Sequence, residues 1–177
     1  MGHNISAVVL RGPFDQKKAL SFDLKPIPLT AELTLFPLDA SYVDYCAEKL
    51  GIGQSLSDFP LLNTEPILHM ICSIAKAPRF AVINTDYFGG RGSQAAVAYE
   101  GAAELMPAEH AQFGICPPGL FQFAHGDIAL AHQIGPINRA LRLLGVIAKE
   151  GCDEFDTIGL GRFRDFYDLF DAYHDQK

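Results

Sequence analysis

The stretch from Arg79 to Gly101, RFAVINTDYFGGRGSQAAVAYEG, constrains the fold more than any other part of this chain. It reads as strand, turn and strand. Phe80 to Ile83 is an uninterrupted apolar run, which predicts a strand covered on both faces, since a half-solvated strand alternates apolar with polar residues. In the second arm Ala95, Val97 and Tyr99 alternate with Ala96, Ala98 and Glu100. Small alanines on one face leave room for a closely packed helix. Between the arms, Gly89-Gly90-Arg91-Gly92-Ser93 supplies residues that tolerate the positive φ of a hairpin turn. A glycine-rich loop can also cradle an anion with its amides. This one lacks the Walker and dinucleotide-binding spacings, so turn chemistry is the better explanation.

The rest of the chain organises around that hairpin. Ile5 to Arg11 predicts a first strand closed by Gly12-Pro13, and Phe14 to Leu20 a single helical turn. Prolines 26, 28 and 37 forbid a long element between Phe22 and Pro37, leaving a short edge strand around Leu33 and Leu35. Asp39 caps a helix from Ala40 to Leu50 that Gly51 terminates. Asn63 or Thr64 caps a second helix, with Pro66 in its first turn and Ile67, Leu68, Ile71, Cys72 and Ala75 as its apolar stripe. After Gly101, a strand over Ala102 to Met106 is expected, and periodicity is lost from Pro107 to His132. Gly135-Pro136 opens a third helix with Ile137, Ala140, Leu141 and Leu144 inward and Asn138, Arg139 and Arg142 outward.

These elements predict an α+β fold in one domain spanning residues 1–177. Its antiparallel sheet is centred on a hairpin at about 79–106, with helices near 40–50, 64–76 and 136–144 packed mainly on one face. At 177 residues a chain can bury about two thirds or more of its unfolded surface, so a real core is available. The formal charge of −7 disfavours binding to nucleic acid or anionic membranes, which rely on clustered Lys and Arg, and suits a basic protein partner. No apolar run reaches the roughly 18 residues of a spanning helix. The start MGHNISAVVL lacks the basic end and long apolar centre of a secretory signal, which predicts a cytoplasmic protein. The four cysteines form no CxxC pair, and Cys46 and Cys72 fall on predicted buried helix faces, where thiols are inert.

The acidic terminal segment, about 150–177, carries Glu150, Asp153, Glu154, Asp156, Asp165, Asp168, Asp171 and Asp175. Asp165, Asp168 and Asp171 interleave with Phe166, Leu169, Phe170 and Tyr173 at helical spacing. This predicts a helix that docks its aromatics and projects its acids toward a partner. The hairpin offers a second binding edge in Asp86 and Tyr87 at one strand end, with Arg91 and Gln94 across the turn. An enzymatic alternative, a small hydrolase, would use the Asp86/Arg91 edge or His125, Asp127 and His132. Those three match no strong metal spacing, and no residue pattern implies a cofactor. His69 reads as a partly buried structural histidine, and Asp153-Glu154 as a solvated acidic face.

Two patches carry a resemblance. NTDYFGGRGSQ (Asn84 to Gln94), and PINRALRLLG (Pro136 to Gly145) followed by Asp153-Glu154-Phe155-Asp156 and Gly159-Leu160-Gly161-Arg162, resemble an uncharacterised group of bacterial cytoplasmic proteins. That resemblance transfers no catalytic residue. In size, acidity and style the chain also looks like immunity proteins of bacterial polymorphic toxin systems. This implies a noncatalytic inhibitor that occludes a basic toxin domain.

Overall fold

The computed structural model describes residues 3–30, 32–53, 63–88, 91–113 and 134–175. Six antiparallel strands form one sheet: β1 (His3–Arg11), β2 (Ile27–Pro28), β3 (Leu33–Pro37), β4 (Arg79–Phe88), β5 (Arg91–Glu100) and β6 (Ala103–Phe113). Their spatial order is β2-β3-β1-β4-β5-β6. The predicted hairpin is present, with β4 and β5 in register from Arg79 opposite Glu100 to Phe88 opposite Arg91. The early strand β1 lies between β3 and β4 and pairs with both. The α+β class and the hairpin-centred antiparallel sheet are as the sequence predicts.

The helices divide between the two faces, which corrects the expectation that they pack mainly on one. On one face Ile5, Ala7, Val9, Ala81, Ile83, Ala96 and Ala98 meet Ile137, Ala140 and Leu141, together with Ile158, Leu160, Phe163 and Leu169. On the other face Val8, Leu10, Phe36, Phe80, Val82, Val97 and Tyr99 meet Ala19, Val43, Ile67, Met70, Ile71 and Ile74. The first face therefore carries α4 (Pro136–Leu143), α5 (Glu154–Thr157), a 3-10 turn at Leu160–Arg162 and α6 (Phe166–His174). The second carries α1 (Gln16–Ser21), α2 (Ala40–Leu50) and α3 (Thr64–Ile74). Successive side chains of a strand point to opposite faces, so the apolar runs of β1 and β4 feed two cores at once.

Local chemistry sets the helix ends. Asp39 accepts a hydrogen bond from the Tyr42 amide at 2.9 Å, and Gly51 leaves α2 in the left-handed region at φ 67°. Asn63 caps α3 through the Glu65 amide. In α3 the buried stripe is Ile67, Met70, Ile71 and Ile74, rotated from the predicted one, so Cys72 and His69 are both exposed.

Two strand expectations change. β3 is not the edge, because the two-residue β2 pairs outside it. β6 runs straight through Pro107, where the sequence pattern fades. A register shift opposite Ala96, Ala98 and Tyr99 accompanies that proline, and a bulge on an outermost strand is where a residue without an N–H is tolerated. Among the described residues no helix is long and apolar enough to cross a membrane.

α4 lies against the small side chains of Ala96 and Ala98. Enlarging Ala98 to Leu is expected to destabilise the fold by about 1 to 3 kcal/mol, because the buried space is already filled. Urea unfolding of Ala98→Leu measures this; an unchanged midpoint would mean that α4 does not pack there.

Candidate functional site

The pleat decides what the hairpin can present. Asp86 lies opposite Ser93 and Phe88 opposite Arg91, whereas Tyr87 lies opposite Gly92 and Thr85 opposite Gln94. Alternation therefore puts Asp86 and Arg91 on the face that carries α1 to α3, and Tyr87 and Gln94 on the face that carries α4 to α6. The four residues expected to share one edge are split in two. Asp86 and Arg91 are exposed, and no ion pair joins them among the described residues.

Tyr87 and Gln94 instead belong to a polar seam beneath α4 and α5. The Tyr87 ring covers Gly92, where any Cβ would collide with it. Burial pushes the Tyr87 hydroxyl pKa up to about 12, with a hydrogen bond from Gln94 acting the other way and the Asp153 carboxylate adding to the rise. The second polar atom of the Gln94 amide, Oε1, is buried with no partner among the described residues. Nearby, His3 Nδ1 lies 2.7 Å from Thr85 Oγ1, which also accepts from the Ile5 amide at 3.2 Å. The His3 ring meets Phe155 edge-on at 5.2 Å.

The polar face of α4 closes the seam. Asn138 donates to Asp153 Oδ2 at 2.9 Å and accepts from the Phe155 amide at 3.0 Å. Arg142 Nε donates to Glu154 Oε1 at 2.5 Å, and Arg139 forms an ion pair with Glu109 on β6. The three side chains expected to point outward thus tie α4 to α5 and to the sheet. Glu154, expected on a solvated acidic face, is 3% exposed, and Asp153 caps α5 through the Asp156 amide. This arrangement fixes geometry: each acid is committed to a cap or a cation.

The terminal segment is likewise partly committed to structure. Asp165 caps α6 by accepting from the amides of Tyr167 at 2.8 Å and Asp168 at 3.1 Å. Asp168 in return accepts from the Arg164 amide at 2.7 Å. Of the three acids expected to face solvent, Asp165 and Asp171 are exposed and Asp168 is partly buried, and among the described residues only Asp171 makes no such bond. The predicted inward set holds, with Leu169 buried and Phe166, Phe170 and Tyr173 half-buried. Lys25 stands 4.8 Å above the Phe170 ring. The outward strip is led by Tyr167, 77% exposed and not among the residues the acidic pattern singled out, with Asp171, His174 and Asp175 alongside. Its signal was present: Tyr167 precedes Asp171 by four residues, one helical turn on the polar side.

His125, Asp127 and His132 lie outside the described residues. Among the described residues no three His, Cys, Asp or Glu side chains converge as metal ligands. No protein-family profile, curated protein or solved structure matches this chain.

Two outcomes test the seam. Arg142→Ala strips the partner from a buried carboxylate, with an expected cost near the lower end of about 3 to 5 kcal/mol because the arginine itself is half exposed. Replacing Arg142 and Glu154 together with methionine should recover most of that loss in urea unfolding. Burial holds the His3 imidazole pKa below its ordinary value, against the opposing Leu160 carbonyl and the Asp156 and Asp168 carboxylates. The unfolded chain then takes the proton first as pH falls, so this contribution is present above about pH 6.5 and lost below it. Comparing urea midpoints at neutral and mildly acid pH, His3→Gln should show a weaker acid loss than the native protein.

Proposed function

We propose that this protein is a noncatalytic protein-binding module of the bacterial cytoplasm. It engages a basic protein surface with the outer strip of α6 and acts, as an immunity-like inhibitor would, by covering that surface. The observation that carries this reading is Tyr167, 77% exposed on a helix whose outward side also bears Asp171 and Asp175. A large exposed tyrosine is a typical interface anchor, because it buries much area at small entropic cost. Carboxylates around it attract a cationic partner before contact and set the register afterwards.

The formal charge of −7 and the resemblance in size and style to immunity proteins support the same reading. The inward side of α6 supports it too, since Leu169 and the half-buried aromatics hold the helix while its outer strip remains available. Occlusion needs no reacting group. It needs a rigid surface of the right charge.

The test uses a basic partner isolated on the immobilised protein and measured by association and dissociation kinetics. Tyr167→Ala is expected to cost about 2 kcal/mol or more, chiefly through faster dissociation. Asp171→Asn with Asp175→Asn should slow association at low salt and match the native protein at high salt, because ions screen the attraction. These substitutions leave the Asp165 and Asp168 caps intact. A partner that binds all variants alike would remove α6 as the interface.

A further inference from the structure

At the end of the sheet away from the β4–β5 turn, Arg11 and Arg79 stand directly opposite each other in the β1–β4 ladder. Like charges so placed repel. Each is balanced on its outer side: Arg11 Nη2 reaches Glu32 at 2.6 Å, and Arg79 Nη2 reaches Glu100 at 2.6 Å. Arg11 Nη1 also donates to the Leu144 carbonyl at 2.7 Å, and Arg79 Nε to Glu100 at 3.2 Å. Among the described residues Arg11 Nε and Arg79 Nη1 make no hydrogen bond.

Below this pair opens a cleft of about 310 Å³ lined by Arg11, Lys76 and Arg79, with Pro13 and Pro78 among its apolar walls. Neither Glu32 nor Glu100 lines it. Three cationic residues therefore line one cleft of an otherwise acidic protein, two of them already paired with Glu32 and Glu100. Lys76 has no partner among the described residues.

The backbone gives an independent observation. Ala77 sits at φ 47°, in the left-handed region that non-glycine residues rarely enter. The amides of Lys76 and Ala77, both lining the cleft, donate to no acceptor among the described residues. Successive amides beside a left-handed residue are the elements from which anion-binding nests are built, and strained backbone of this kind gathers at ligand clamps.

We propose that this cleft binds a tetrahedral oxyanion, the phosphate group of a small phosphorylated molecule. Guanidinium and ammonium donors with two amides exceed what the two oxygens of a carboxylate can accept, whereas a phosphate offers more acceptors and a second charge. The volume is at the lower end of small-ligand sites, leaving room for a short organic part between the prolines. This site is at the opposite end of the sheet from the hairpin turn and does not rest on the protein-binding reading.

The test is an amide-resolved NMR titration of the whole protein with inorganic phosphate, methyl phosphate and acetate, at ionic strength held constant with sodium chloride. Expected are saturable shifts at Lys76 and Ala77 with both phosphates, and at least tenfold weaker binding of acetate. Lys76→Gln, an exposed position, should weaken phosphate binding about tenfold, and Lys49→Gln should leave it unchanged. Thermal unfolding without phosphate checks that both variants are folded, and phosphate should raise the native midpoint more than the Lys76→Gln midpoint. Shifts that grow linearly or spread over all surface lysines, acetate binding as tight as phosphate, or a folded Lys76→Gln protein that binds phosphate as before would each overturn the proposal.

Discussion

The β1–β4 ladder is the constraint from which the architecture follows. Ala7 to Leu10 and Phe80 to Ile83 run side by side at the middle of the sheet, with no solvent exposure in either run. Each large apolar side chain removed from water contributes about 1.5 to 3 kcal/mol. In a strand buried on both sides, those contributions are available only when both faces are covered. Among the described residues three helices on each face meet that demand. The amphipathic segments before and after the hairpin are therefore two halves of one solution, separated by the sheet they both protect.

The parts of the fold legible in the sequence are those written in local chemistry. The hairpin was readable from its glycines and alternation, α2 from Asp39 and Gly51, and α4 from Gly135-Pro136. What was misread depended on distant partners. The run Phe80 to Ile83 already required cover on both faces, yet helix patterns do not say which face each helix takes. β2 is too short to show a period, so β3 looked like the margin. In α3 nearly every side is apolar, and a rotation of the buried stripe exposed Cys72 and His69 while drawing in Met70 and Ile74.

The candidate site was harder to read for a related reason. Periodicity finds the apolar stripe of α4 but is silent about a neighbour arriving over its polar side, and Asn138, Arg139 and Arg142 serve that second contact. The terminal acids looked like free charge because composition does not distinguish a carboxylate in solvent from one holding a helix start. Asp153 and Asp165 do the latter. Alternation settled the hairpin edge: adjacent residues such as Asp86 and Tyr87 belong to different faces, so closeness in sequence was misleading there.

Pro28 and Pro107 have a consequence for association. One lies in the outermost strand at each margin of the sheet, and neither can donate a backbone hydrogen bond. An uninterrupted margin is a template on which another chain can extend the ladder, the route by which crowded β proteins grow into fibres. Among the described residues both margins are interrupted, one by shortness and one by a bulge. Copies of this chain crowded together are accordingly poor templates for one another along these margins.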